Sequence, residues 1–98
     1  MRKVTFHEEA DSEIYEAALY YEDKAADLGL LFLDEIEKAI LRILANPMAY
    51  PSVGDEVCQA IVSRFPYSIL YVIESDEHLR VIAAAHQKRR PGYWKVRR

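Results

Sequence analysis

The polar and apolar positions divide the chain into a helical first half and a strand-rich second half. Lys3 to Phe6 alternates in character and reads as a short edge strand. Apolar residues then fall at Ala10, Ile14, Ala17, Ala18, Tyr21, Ala25 and Leu28, a spacing that lines one face of an α-helix. Glu8, Glu9 and Asp11 lie in its first turn, where carboxylates favour the positive end of the helix dipole. Gly29 is placed to end this helix in a left-handed conformation. A second helix is expected from about Leu30 to Ala45, with Phe32, Ile36, Ile40, Ile43 and Leu44 as its buried stripe, widened by Leu33 and Leu41. Asp34 and Lys38 are spaced to pair on its surface, and Asn46-Pro47 stops it.

Pro47 to Asp55, with Pro47, Pro51 and Gly54, reads as a loop. Val57 to Ser63 reads as a strand, interrupted by Phe65-Pro66 because proline lacks the ladder donor. Tyr67 to Ser75 is apolar on both faces and rich in β-branched and aromatic residues, as a central strand would be. Asp76-Glu77 makes a turn into a last strand, Leu79 to Ala85, whose three consecutive alanines imply a closely packed neighbour. Tyr93 to Arg97 is expected to form one helical turn after Pro91-Gly92. The order β-α-α-β-β-β indicates a single α+β domain over 1–98, with a helical hairpin packed on one face of a small, mostly antiparallel sheet. The opposite face, rimmed by the tail, is left partly open for a partner.

Composition narrows the class. At 98 residues with half of them hydrophobic, the chain is long enough for one core and too short for two. No apolar run is long enough for a membrane helix, and the N-terminus carries no apolar signal core. The single cysteine, Cys58, reads as a small strand hydrophobe in a reducing, cytoplasmic setting. Three histidines without ligand spacing argue against a metal site, and nothing calls for a cofactor.

Charge changes the picture more. The net charge is -3, yet His86 to Arg98 holds six Lys or Arg and no acid, leaving seven basic and sixteen acidic residues in 1–85. An acidic body thus carries a basic, aromatic tail, which would meet phosphate or an acidic protein surface, or fold back on its own acidic helices. Lys88, Arg89, Arg90, Lys95, Arg97 and Arg98 would give salt-sensitive phosphate binding if exposed together. Arg64 is suited to a bidentate grip on phosphate or carboxylate, or to an ion pair with Asp55 or Glu56. Tyr67 and Tyr71 share a strand face, and core packing with a satisfied hydroxyl is favoured over stacking on a base. His86 is a general base on paper, with Tyr93 as acid and Arg89 or Arg90 as the cation, though a histidine that fixes the tail is the favoured role. Trp94 is expected to pack beneath the tail, and Tyr15, Leu19 and Leu30 to offer an exposed apolar surface to a partner.

Several stretches together resemble the RelE/ParE superfamily of bacterial type II toxins. They are Phe6-His7-Glu8-Glu9-Ala10 with Glu13-Ile14, Tyr20-Tyr21-Glu22, Leu28-Gly29 with Phe32-Leu33, and Asn46-Pro47. The most specific combination is Arg64-Phe65-Pro66-Tyr67 with Tyr71, followed by His86, Arg89, Arg90, Pro91, Tyr93 and Trp94. The ParE-like, plasmid stabilisation branch is the most similar. The resemblance implies a growth-inhibiting toxin whose partner is a cognate antitoxin wrapping the helices and sheet, with operator DNA reached only through that antitoxin. ParE-like action implies DNA gyrase as target, with Arg64, Lys88, Arg89, Arg90, Tyr93, Trp94 and Arg97 as the gripping residues and no catalysis. RelE-like action implies the ribosome and mRNA, cut by His86, Arg89, Arg90 and Tyr93. Arginines that relatives carry on the strand before Phe-Pro-Tyr are replaced by Cys58 and Gln59, and no Lys or Arg occurs from Ala45 to Ser63. Gyrase is therefore the favoured target, with an endoribonuclease or an inactive antitoxin-binding module as alternatives.

Overall fold

The computed structural model describes residues 2–97, so Arg98 of the basic tail lies outside the described residues. Strand β1 (Lys3–Phe6) is followed by helices α1 (Glu8–Lys24) and α2 (Leu28–Ala45), a 3₁₀ turn at Pro47–Ala49, and strands β2 (Cys58–Ile61), β3 (Tyr67–Ser75) and β4 (His78–His86). The sheet order is β1-β4-β3-β2, with β1 parallel to β4 and the other pairs antiparallel. The expected α+β layering is present. Most of the core lies between the helices and the sheet, where Ala10, Ala17, Phe32, Ile36, Ala39 and Ile43 meet Ile69, Tyr71, Leu79, Val81 and Ala84.

His7 caps α1, its Nδ1 accepting the Glu9 N–H at 3.1 Å. The helix ends at Lys24, so Ala25 and Leu28 do not extend its face. Gly29 does not terminate it either. Gly29 lies in the first turn of α2, and a Cβ there would come within 2.5 Å of the Ala18 carbonyl oxygen. Its missing side chain serves helix-to-helix approach, not termination. The left-handed residue between the helices is Asp27, with φ of 67°. The Glu22 carboxylate accepts from the N–H groups of Asp27 and Gly29 at 2.9 and 3.0 Å, so α1 supplies the cap for α2. Leu33 and Leu41 do not widen the buried stripe; they are 41% and 55% exposed.

Tyr71 is fully buried and its hydroxyl donates to the Pro47 carbonyl, tying β3 to the turn after α2. Burial and the neighbouring Cys58 push its phenol well above the ordinary range. Core packing therefore accounts for Tyr71. The pairing of β3 with β4 shifts register between Leu70↔Ala83 and Tyr71↔Val81, leaving Ile82 as an extra residue in β4. Ile82 and Ala83 both face away from the helices, where they pack with Val57, Leu70, Val72 and Trp94. Beyond the bulge, Ala84 and His86 return to the helix side, and His86 meets the Tyr67 ring edge-on at 5.1 Å. No helix among the described residues is long and apolar enough to cross a membrane.

Candidate functional site: the docked tail

Strand β1 runs beside β4 only as far as Phe6↔Val81, with the His7 N–H donating to the Val81 carbonyl. Side chains then take over this edge of β4. Glu13 of α1 accepts the Ala84 N–H at 3.0 Å, and Arg97 donates to the Ile82 carbonyl at 3.0 Å. The two side chains also meet in a forked pair. Arg97 donates to both Glu13 oxygens at 2.9 and 3.0 Å, and its Nε approaches Glu9 at 3.2 Å. The Tyr93 hydroxyl completes the set, donating to Glu13 at 2.8 Å. One carboxylate thus receives four hydrogen bonds and joins α1, β4 and the tail.

Burial alone would depress the Arg97 pKa, but the hydrogen bonds and charge of Glu13 outweigh it and raise it. The Tyr93 phenol is pushed well above its ordinary value by burial first and by Glu13 second. Arg97 is only 7% exposed and Trp94 5%. The tail therefore folds back on the acidic helix through one arginine and buries its tryptophan as expected, leaving Lys88, Arg89, Arg90 and Lys95 exposed. Residues 91–96 form successive turns instead of a helical turn, with Lys95 N–H donating to Gly92 and Arg97 N–H to Trp94. Gly92 has φ of 79°, and a Cβ there would come within 3.0 Å of the end of the Lys95 side chain.

His86 accepts the Lys88 N–H at its Nδ1 at 3.0 Å, so it does fix the start of the tail. The Arg89 guanidinium stacks 3.9 Å from the Tyr93 ring centroid. His86, Arg89 and Tyr93 come together at a cleft of about 280 Å³ on the helix side, which Glu13, Glu16 and Tyr67 also line. On the open face of the sheet, a larger cavity of about 390 Å³ is lined by His86, Arg89, Arg90 and Lys95 above Gln59 and Ser68. Arg64 joins neither. It sits at the β2–β3 turn with φ of 71°, and its ion pair, at 3.5 Å, is with Glu35 of α2. Tyr15, Leu19 and Leu30 are exposed on the helical hairpin, apart from the tail. No cluster of His, Cys, Asp and Glu that could hold a metal ion occurs among the described residues.

The family model described as "ParE toxin of type II toxin-antitoxin system, parDE" matches residues 4–91. The chain belongs to the ParE toxin family. The ParE fold extends to a solved structure described as "Chromosomal ParDE TA system from P. aeruginosa", which has a TM-score of 0.75 at 16% identity. That likeness covers 88% of this chain and 96% of the other, and at this identity it is a likeness of fold. No curated protein matches the chain. Within this ParE domain, Glu9 and Glu13 were missed as partners of the tail. Their i, i+4 spacing on an acidic helix, opposite a basic tail, was the available signal. Glu22 and Glu35 carried none, since their partners are set by how α2 and the β2–β3 turn dock.

Proposed function

We propose that this ParE-family toxin is held by a cognate antitoxin on its helical hairpin and, when released, arrests growth by gripping DNA gyrase through its tail. The observation that carries this reading is the ParE family match over residues 4–91. The tail favours gripping over cleaving. Of the groups that RNA cleavage would need, the Tyr93 phenol is bound to Glu13 and the His86 Nδ1 to the Lys88 N–H. Arg89, Arg90 and Lys88 present exposed charge to a protein surface instead.

For the antitoxin, Tyr15 and Leu19 lie one turn apart on α1, and Leu30 and Leu33 are exposed on α2. An apolar groove of about 430 Å³ beside β1, lined by Val4, Phe6, Ile14, Ile40 and Leu41, is suited to the apolar face of an extended or helical segment. One specific observation favours a second reading, ribosome-dependent RNA cleavage: His86, Arg89 and Tyr93 share the helix-side cleft. Expression of the chain alone separates the two. Gyrase inhibition predicts filamented cells with intact messages and loss of supercoiling by purified gyrase. Cut messages with normal supercoiling would refute it. Arg89→Ala with Arg90→Ala is expected to relieve toxicity, and co-expression of a cognate antitoxin to restore growth.

A further inference from the structure

The cavity on the open face of the sheet shares Arg89 and Arg90 with the proposed gyrase grip, and adds a concave polar floor that a grip on a protein surface does not require. Its rim carries Arg89, Arg90 and Lys95, and no Asp or Glu side chain is among the residues that line it. Its floor offers polar groups from β2 and β3, where Gln59 Nε2 donates to Ser68 Oγ at 3.2 Å. Leu70 and Val53 add apolar surface. Lys95 lines the mouth, its side chain passing 3.0 Å from where a Cβ on Gly92 would stand. Arg89 is steadied by stacking on Tyr93, which is itself tethered to Glu13.

We propose that this cavity binds a free nucleoside phosphate. The phosphoryl group would lie between Arg90, Lys95 and Arg89, where guanidinium forks and an ammonium match its oxygens. The sugar and base would lie along Gln59, Ser68 and Leu70. Size and charge decide against the other anions. At about 390 Å³ the cavity falls in the roughly 300–1,000 Å³ range of small-molecule sites, far more than one Asp or Glu side chain of a protein partner fills. A nucleic-acid strand would extend past the rim onto a body with seven basic and sixteen acidic residues in 1–85, whereas a mononucleotide stays within a lining that holds no carboxylate. The site does not depend on which target the toxin arrests.

Isothermal titration of the purified chain with AMP, inorganic phosphate, a six-residue oligonucleotide and a polyglutamate peptide tests the proposal. AMP is expected to bind more tightly than phosphate, and more weakly as salt rises. Arg90→Gln and Lys95→Gln should each weaken AMP binding about tenfold, the scale of one charge-assisted contact. Both residues are exposed, so a circular dichroism melt should match the parent chain. Lys38→Gln, on α2 in a surface pair with Asp34, should leave binding unchanged. No AMP binding, binding of only the oligonucleotide or the peptide, or equal weakening by Lys38→Gln would each overturn the proposal. All are read on the isolated chain, so they are separable from the outcome of the gyrase assay.

Discussion

Glu13→Ala is expected to loosen the tail before the rest of the domain unfolds. The substitution removes the acceptor for Ala84 N–H, for Tyr93 and for two donors of Arg97, whose side chain is 7% exposed. Removing one partner of a buried ion pair costs about 3–5 kcal/mol. Here Arg97 keeps Glu9 at 3.2 Å and the Ile82 carbonyl, so the lower end, about 3 kcal/mol, applies. For a domain of this size that is a fall in Tm of roughly 12–24 °C. Arg97→Ala should cost less, about 1–2 kcal/mol, because Glu13 retains Ala84 N–H and Tyr93 and is partly exposed. The double variant should then be less destabilised than the two losses added, with a coupling of about 1–3 kcal/mol. Thermal melts and the fluorescence of Trp94 read this out. Trp94 is the one tryptophan in the chain and is buried under the tail, so its emission should shift red below the main transition. A cost under about 1 kcal/mol, additive losses, or unshifted emission would refute the claim that this carboxylate holds the tail.

Alkaline pH should destabilise the fold through Tyr71 and Tyr93. Both phenols are raised in the folded chain, so their contribution is complete below the unfolded value near 10 and is lost as pH rises toward the folded values. Unfolding free energies from urea titrations at pH 9 to 11 should fall, by up to about 1.4 kcal/mol per pH unit for each tyrosine above pH 10, and Tyr93→Phe should flatten the slope. Tyr71→Phe should flatten it too, and at neutral pH should cost about 1–2 kcal/mol by leaving the Pro47 carbonyl without its donor. Gly29→Ala should destabilise by about 1–3 kcal/mol despite alanine's better helix propensity, since its Cβ meets backbone at Ala18. A rise in Tm for this variant would show that the helices separate easily.

The chain by itself determined the kind and order of its two α-helices and four strands, because each rests on neighbours a few residues apart. Ala10, Ile14, Ala17 and Tyr21 at helical spacing do face the core, and carboxylates open α1. Phe65-Pro66 does separate β2 from β3. The contrast between an acidic body and a basic tail was equally legible, since charge is read from composition. What the tail does with its charge was not. Arg97 meets Glu13 across 84 residues, and only the return of the chain over β4 brings them together. The same holds for Gly29, whose meaning depends on the Ala18 carbonyl on another helix, and for Arg64, which meets Glu35 once α2 is docked. The bulge at Ile82 is the sharpest case. Strict alternation from Leu79 would set His86 on the face away from the helices, and one extra residue brings it back beside Tyr67. Period-2 patterning cannot announce a bulge among Val81-Ile82-Ala83-Ala84, where every residue is apolar and both faces are buried. Packing α1 on one side and Trp94 on the other decides the register, and with it which side of the tail the histidine serves.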